Sequence, residues 1–355
     1  MRAKRRRSHV SVSYLPVTAN IRAMIPLSIL DLSPVSAGST AAQALRNSLD
    51  LARHADDLGF KRYWVAEHHN LPAIASSAPD IMIGQIAAVT RSMRIGSGGV
   101  MLPNHAPLMV AERFKVLEAL YPGRIDLGLG RAPGTDPATS YALRRRQGIS
   151  EEDDFLDRFN ELMLLETRGF PAGHPFHNVR AMPSDVPLPP IYLLGSSDYS
   201  AQLAGQIGAA FSFAHHFANF DAAEAMRLYR DNFKPSPSHD RPYAILATHV
   251  VCADTDQEAE KLAATVDLNI VRRAKGEFQP LASPEDAANY DYTPVDRARM
   301  AQNRTRLAVG SPDTVKARLL PLLEATSADE LMVTTMLFDH TARKRSYELL
   351  AKAFA

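Results

Sequence analysis

The chain has 355 residues, 46% of them hydrophobic, and a formal net charge of +1. This balance excludes a global attraction to nucleic acid or to an anionic membrane, and no apolar run reaches the ~20 residues that a membrane span needs. A single cysteine, Cys252, excludes an intramolecular disulfide framework and favours a buried thiol in a reducing cytoplasm.

Residues 1–23 form a basic N-terminal extension, with five basic residues among the first seven. No uninterrupted apolar segment with a small-residue cleavage site follows, so the pattern does not indicate a secretory signal. We expect a flexible, solvated tail rather than a nucleic-acid or membrane contact, because no other segment repeats the basic bias. The remainder, residues 24–355, contains no linker and is predicted to be one domain.

Eight apolar runs predict buried strands. Most are apolar nearly throughout rather than alternating with polar residues, which is typical of a parallel sheet covered on both faces. The predicted strands are Ile25–Asp31, Lys61–His69, Met93–Pro103, Gly123–Gly134, Ile191–Ser197, Gly208–Phe217, Tyr243–Asp254 and Asp329–Met336.

Helix signals separate these runs. The first helix is predicted to begin near Ser39–Thr40 and to end at Gly59, where a left-handed residue is needed. Pro79 opens the second helix, and Thr255–Glu258 has the sequence of a capping box. Ser311–Pro312 opens the penultimate helix, with proline at its first position.

A succession of eight βα units predicts an α/β fold, a single (β/α)8 TIM-type barrel. A doubly wound open sheet is the alternative. Insertions are expected after strand 4 and after strand 7, the latter covering roughly Lys275–Arg306. Insertions at these positions can form lids over a barrel site.

The predicted strands end in polar or small residues. In a closed barrel these ends meet at the C-terminal face, where functional residues cluster. The ends are Asp31–Ser33, Glu67–His69, Ser97–Gly99, Gly130–Ala132, Gly195–Ser197, His215–His216 and Thr334–Thr335.

The triplet Glu67–His68–His69 raises the hypothesis of a metal site. Neighbouring strand residues point to opposite faces, so the two histidines cannot easily bind one ion together. Glu67 and His69 could share a face, with His215 or His216 as third ligand. No His-x-x-x-His or Cys-x-x-Cys pattern supports this reading, and we predict no metal.

An anion site has more support. Arg131 lies between glycines just past a strand, and a second strand ends in Gly195, Ser196 and Ser197 before a helix that begins near Tyr199–Ser200. Backbone N–H groups, hydroxyls and the positive helix end would receive a phosphate, and Arg131 would add a bidentate contact. Each motif alone is also compatible with a plain turn. Together they predict a phosphorylated cofactor.

The loop that contains Ser97, Gly98, Gly99 and Asn104 would offer a flat wall, poor in side chains, to such a cofactor. Glycine permits the close approach of backbone to a ligand. The alternative is a turn that uses glycine for geometry only.

Three segments resemble the bacterial luciferase-like flavin monooxygenases, in particular their short single-chain members. They are "YWVAEHHN", the run from Arg94 to Asp136, and "LMVTTM". The likeness extends from about Met24 to Ala355. It implies the same barrel, and it implies reduced FMN as cofactor.

The resemblance also implies roles for the residues selected above. Arg131 and the turn at Gly195–Ser197 match phosphate-binding elements, although the family's light-emitting members carry an acidic residue at Gly195 and threonine at Tyr199. The triplet matches the segment that faces the flavin ring. We therefore expect His68 to take part in oxygen chemistry, with His69 as the second choice and Glu67 as the orienting group.

The implied reaction is oxygenation of a small organic substrate by O2 through a flavin hydroperoxide. A separate NAD(P)H:flavin reductase would supply reduced FMN, and the enzyme would be a cytoplasmic homodimer. Two alternatives remain open: a deazaflavin-dependent hydride-transfer oxidoreductase on the same barrel, and a non-catalytic flavin-binding protein.

Overall fold

The computed structural model describes residues 25–132, 134–144 and 154–355. The predicted N-terminal extension at residues 1–23 lies outside the described residues, as does part of the polar stretch before the helix at Phe155.

The described chain contains ten parallel strands, and eight of them close into a barrel. The ring runs β1–β2–β3–β5–β6–β7–β8–β10 and returns to β1, because β10 pairs with both β8 and β1. This closure confirms the (β/α)8 barrel and excludes the open sheet. The strands are β1 Leu27–Asp31, β2 Arg62–Val65, β3 Arg94–Ser97, β4 Val100–Met101, β5 Ile125–Gly130, β6 Ile191–Gly195, β7 Ala210–Ala214, β8 Ala244–Cys252, β9 Leu307–Gly310 and β10 Glu330–Thr334.

Twelve α-helices are described, and most of them pack outside the barrel. They are α1 Ala41–Asp57, α2 Pro79–Val89, α3 Pro107–Leu120, α4 Pro137–Arg144, α5 Phe155–Thr167, α6 Asp198–Gln206, α7 Ala222–Asp231, α8 Asp256–Ala274, α9 Pro284–Asn289, α10 Pro294–Arg304, α11 Pro312–Thr326 and α12 His340–Phe354.

The local signals that predicted the helix ends correspond to real contacts. Thr40 caps α1 by accepting from the Gln43 N–H, and Gly59 has φ +80°, the left-handed conformation expected after a helix. Thr255 accepts from the Glu258 N–H at the start of α8, which is one half of the predicted capping box.

Three features differ from the prediction. The third predicted strand is interrupted at Gly98–Gly99, so that it forms the short strands β3 and β4. Strand β9 was not predicted; it pairs with the end of β8, from His249 to Cys252. The segment predicted as a weakly patterned insertion contains α9 and α10, each begun by a capping box, at Ser283 and Thr293.

Side chains that alternate in direction along the strands contribute to two separate cores. Ile29, Tyr63 and Val65 point outward against the helices and belong to the large core between sheet and helices. Their neighbours point into the barrel, where Leu30 and Trp64 belong to a smaller interior core. Interior side chains therefore fill the barrel below its C-terminal mouth.

The N-terminal end of the barrel interior is built from charged side chains. The Arg62 guanidinium donates to Glu330 and to Asp126, both at 2.6 Å, and to the Tyr192 hydroxyl at 3.0 Å. Trp64 donates to the same Asp126 carboxylate at 3.0 Å. The Arg62, Asp126 and Glu330 side chains are at most 2% exposed, so the charges compensate one another inside the protein.

Residues 253–306, between β8 and β9, form the insertion segment, which contains α8, α9 and α10. Backbone hydrogen bonds join it to the loop after β1: the Leu281 N–H donates to Val35 O at 2.8 Å and the Ala37 N–H donates to Leu281 O at 2.9 Å. This loop is joined in turn to the segment after β2, because the Val35 N–H donates to Ala73 O at 2.9 Å. The insertion segment is thereby fixed to the C-terminal end of the barrel.

Candidate active site

The residues of the triplet follow β2 at the mouth of the barrel, and the Glu67 carboxylate is their buried centre. Glu67 Oε1 accepts from His69 Nε2 at 2.9 Å, and both carboxylate oxygens lie 3.0 Å from His105 Nε2. The Met101 N–H donates to Oε2 at 2.8 Å, and Asn104 Nδ2 donates to Oε1 at 3.4 Å.

Burial raises the pKa of Glu67, but the hydrogen bonds from His105, His69 and the Met101 N–H outweigh it and hold the pKa below its usual value. The carboxylate is therefore ionised and can only accept. His69 and His105 must both carry a proton on Nε2 to donate to it. Glu67 thus fixes two imidazoles and the turn between β4 and α3.

His68 points away from Glu67. Its Nδ1 lies 3.3 Å from Gly134 O, and because a carbonyl only accepts, Nδ1 carries the proton. Burial lowers the pKa of His68, the bond to Gly134 opposes this effect, and the charge of Arg273 lowers the pKa further, to below the ordinary 6.5. Near pH 7 the ring is neutral, and Nε2 is the nitrogen left to accept a proton.

The loop after β5 supports the triplet from one side. The His69 N–H donates to Gly134 O at 3.4 Å, and the Thr135 hydroxyl donates to His69 O at 2.9 Å. Gly134 has φ +67°, and a Cβ at this position would lie 2.9 Å from Glu67 O. Only glycine fits this contact between the ends of β2 and β5.

Arg131 lies in the same loop, on the side of α6. Its guanidinium carbon stacks 4.5 Å from the centre of the Tyr199 ring, in the first turn of α6. The predicted residues Arg131 and Tyr199 are therefore adjacent, beside the helix N-terminus at Ser197.

The start of α6 is organised by two serines. The Ser200 N–H donates to Ser197 Oγ at 3.4 Å and the Ser197 N–H donates to Ser200 Oγ at 3.3 Å, a capping box that satisfies two of the helix's free donors. A Cβ at Gly195 would lie 2.0 Å from Ser200 Oγ, so glycine is required there. The acidic side chain of Asp198, in the first turn, opposes an anion at this end.

These residues fit a phosphate group. Half-buried Ser196 and Ser197 and the N–H groups of the first turn are donors at the start of α6. The exposed Arg131 adds a charged donor beside Tyr199. FMN carries one such phosphate, so the donor set suits this cofactor.

The predicted wall after β3 has a packing function in this structure. Ser97 is fully buried and exchanges hydrogen bonds with Gly128, donating to its carbonyl at 2.8 Å and accepting from its N–H at 2.9 Å. A Cβ at Gly98 would lie 2.5 Å from Leu30, and one at Gly99 would lie 2.9 Å from Gly128 O. Close packing against neighbouring strands is sufficient to explain these glycines. Asn104 lies apart from them, and its amide joins Glu67 to Arg144.

Two further imidazoles complete the mouth. His216 Nδ1 lies 3.2 Å from Ala247 O. Burial, opposed by this bond and aided by His215, His68 and Arg306, lowers the pKa of His216 to about 4. Burial lowers the pKa of His249 to about 3, and its Nε2 accepts from the Met336 N–H at 3.4 Å. Both imidazoles are therefore neutral near pH 7.

Two of these side chains, His105 and His249, were not predicted from the sequence. His105 follows the predicted wall loop directly, which was the only signal for it; its contact with Glu67 depends on tertiary structure. His249 lies inside a predicted strand among apolar residues. Burial lowers the pKa of His215, and the charges that act on it are those of Arg306, Asp221 and Arg318. Within the described ranges, no three His, Cys, Asp or Glu side chains are grouped to hold a metal ion.

The chain matches known proteins over nearly its whole length. The family model described as luciferase-like monooxygenase matches residues 25–330. A luciferase-like monooxygenase of Escherichia coli strain K12 is 45% identical over 92% of this chain and 96% of its own. The N-acetyl-S-alkylcysteine monooxygenase of Bacillus subtilis is 34% identical over 93% of this chain and 98% of its own.

Solved structures show the same fold. The crystal structure of apo-MsnO8 superposes with a TM-score of 0.85 at 39% identity, covering 93% of this chain and 98% of that one. At 22% identity, with a TM-score of 0.68 over 94% and 98% of the chains, the oxygenating constituent of 3,6-diketocamphane monooxygenase shares the fold and was solved with FMN. An F420-dependent secondary alcohol dehydrogenase, at 14% identity and with a TM-score of 0.68 over 94% and 99%, also shares it. No helix among the described residues is long and apolar enough to cross a membrane.

Proposed function

The chain belongs to the family of luciferase-like monooxygenases, and we propose that it oxygenates a small organic substrate with O2 and reduced FMN. A separate NAD(P)H:flavin reductase would deliver the reduced cofactor in the cytoplasm. The observation that carries the proposal is the neutral His68 at the barrel mouth, with Nδ1 bound to Gly134 O and Nε2 left to accept a proton.

The residues of the candidate site would have separate roles. Arg131, the start of α6 and the serines there would hold the FMN phosphate, and the flavin, when bound, supplies the activation of dioxygen. His68 would take up and return a proton at Nε2 during oxygen transfer. Glu67 holds His69, His105 and the Met101 N–H, and so keeps the turn that carries His68 in place. The insertion segment would exclude water from the mouth.

The substrate is proposed from a relative. A chain 34% identical to this one is an N-acetyl-S-alkylcysteine monooxygenase, so a small N-acetylated thioether acid such as N-acetyl-S-methylcysteine is the first substrate to test.

The test is an anaerobic titration of the purified protein with reduced FMN, beside a reduced deazaflavin, followed by admission of air. We expect tight binding of reduced FMN and then the absorbance transient of a flavin hydroperoxide. If only the deazaflavin binds, the result would favour hydride transfer over oxygenation as the function. The F420-dependent fold neighbour represents this alternative. FMN binding without an oxygen-dependent transient or oxygenated product would indicate a non-catalytic flavin-binding protein.

A homodimer is supported by an exposed apolar surface on α2 and α3. Met109, Val116 and Leu120 lie along one side of α3, and Ile81 projects from α2, with 47–66% of each side chain exposed. Arg113 joins the two helices by an ion pair with Asp80 at 3.3 Å, so these side chains share one surface. Light scattering should give twice the chain mass, and Val116→Glu should give the monomer; a monomeric wild type would contradict the proposal.

A further inference from the structure

Three basic side chains lie at the C-terminal end of α8, and two of them have a partner among the described residues. Arg272 faces Asp286 at 3.9 Å, and Lys275 binds Asp296 and the Tyr290 hydroxyl, each at 2.9 Å. Arg273, between them, is exposed, and no side chain or carbonyl of the described residues forms a hydrogen bond or ion pair with its guanidinium. The ion pairs at the end of α8 are formed by Arg272 and Lys275, so Arg273 is not needed for them.

Backbone hydrogen bonds connect the segment that follows Arg273 to the mouth of the barrel. The turn after α8 leads to Leu281, which pairs with Val35 in the loop after β1, and Val35 pairs with Ala73 after β2. Three residues further on, Ser76 O accepts from the His68 N–H at 2.9 Å. The end of α8 is thereby connected to the β2 side of the mouth, where His68 lies.

The electrostatics agree with this geometry. Among the charged groups that act on His68, Arg273 has the largest effect. The carboxylate nearest in sequence, Glu67, is fully buried and turned to His69, His105 and the Met101 N–H. No carboxylate of the described residues pairs with the Arg273 guanidinium, and the imidazoles of the mouth are neutral. The positive charge of Arg273 therefore makes this side of the mouth attractive to an anion.

We propose that Arg273 binds a carboxylate of the organic substrate and so orients the substrate beside His68. The inference rests on the proposed function, because it concerns the substrate of the same site. The cofactor phosphate is the other possible anion, but its candidate donors, Arg131 and the start of α6, follow β5 and β6, whereas Arg273 is connected to the loops after β1 and β2.

Binding of a carboxylate probe to the FMN-loaded protein tests the inference without turnover. The probes are N-acetyl-S-methylcysteine and its uncharged methyl ester, followed by calorimetry. The wild type should bind the acid about tenfold or more tightly than the ester, as for a charge-assisted contact. Arg273→Gln should bind the two alike, and Arg272→Gln, the adjacent and already paired arginine, should keep the preference for the acid.

Several results would overturn the inference. They are equal binding of acid and ester by the wild type, no binding of the acid, and a preference for the acid that survives in Arg273→Gln. Weaker binding of FMN but not of riboflavin by Arg273→Gln would assign the residue to the cofactor phosphate instead.

A readout without ligand supports the same assignment. The pKa of His68, followed by NMR, should rise in Arg273→Gln and not in Arg272→Gln, and an unchanged value would place Arg273 away from the mouth. The proposed function can fail independently of this inference. If the protein prefers the acid through Arg273 but transfers no oxygen, carboxylate binding is supported and oxygenation is refuted.

Discussion

At the N-terminal end of the barrel, the buried Arg62 guanidinium donates to two buried carboxylates, those of Glu330 and Asp126. At the C-terminal end and within the described residues, the His68 and His216 side chains each bind a backbone carbonyl, and Arg273 has no hydrogen-bond or ion-pair partner. The N-terminal end balances its charges within the protein. The C-terminal end has proton acceptors and a cation that are available to a ligand. This contrast is expected where one barrel end provides stability and the other provides chemistry.

The largest effect should come from the N-terminal end. Arg62→Met leaves the Glu330 and Asp126 carboxylates buried without their shared partner, and the free energy of unfolding should fall by about 3–5 kcal/mol. Urea unfolding at pH 7 measures this. The exposed pair Arg227–Asp231, 3.0 Å apart on α7, is the control, and Arg227→Ala should cost less than about 1 kcal/mol. Equal costs for the two variants would remove the contrast between buried and exposed pairs.

His68→Ala tests the opposite end. We expect oxygenation to slow about 100-fold or more, because the variant lacks the proton acceptor at the mouth. FMN binding and the free energy of unfolding should change little, since His68 contributes one hydrogen bond, to Gly134 O. His215→Ala is the matched control, because His215 is a second histidine at a strand end and the charges that act on it are those of Arg306, Asp221 and Arg318. Unchanged oxygenation in His68→Ala would refute the assignment.

Arg131→Ala separates cofactor binding from chemistry. Loss of a charge-assisted contact with the phosphate should weaken FMN binding by about 2 kcal/mol. Riboflavin, which lacks the phosphate, should bind the variant and the wild type alike in a fluorescence titration. A parallel loss for both flavins would mean that Arg131 acts by holding Tyr199 and the loop, not by binding phosphate.

The sequence predicted what depends on local pattern and on barrel closure. Apolar runs and helix caps place Glu67, His68 and Arg131 at strand ends, and closure of parallel strands brings those ends to one face. The confirmed barrel therefore needed no tertiary information beyond the strand count. The assignment of these residues to FMN and oxygen remains a prediction.

Contacts between distant segments could not be predicted in this way. The Glu67–His105 pair and the effect of Arg273 on the pKa of His68 arise because segments that follow different strands, among them helix α8, come together in the folded chain. Strand β9 was missed because its four residues, Leu307–Gly310, are too short to show a period and pair only with the extended end of β8. The break at Gly98–Gly99 was hidden because glycine is compatible with both strand and turn.

The two ends should also differ in how their stability depends on pH. The pKa of His216 is about 4 and that of His249 about 3 in the folded protein, whereas an unfolded histidine titrates near 6.5. Between these values the unfolded state binds more protons, so the free energy of unfolding should fall as the pH decreases from 6.5 toward 4. Above pH 6.5 both states are neutral at these residues and the contribution is constant.

The N-terminal end should respond only at lower pH. Burial raises the pKa of Glu330, but the charge of Arg62, the hydrogen bonds from Ser28 and Tyr243 and the charge of Lys61 together outweigh it and hold the pKa below the ordinary 4.5. The stabilisation by Glu330 is therefore lost only as the pH falls below that value. Urea unfolding at several pH values between 4.5 and 7 therefore isolates the histidines. His216→Asn, which keeps a donor for Ala247 O, should reduce the slope. A slope that the substitution leaves unchanged would mean that the imidazoles of the mouth are not held neutral by the fold.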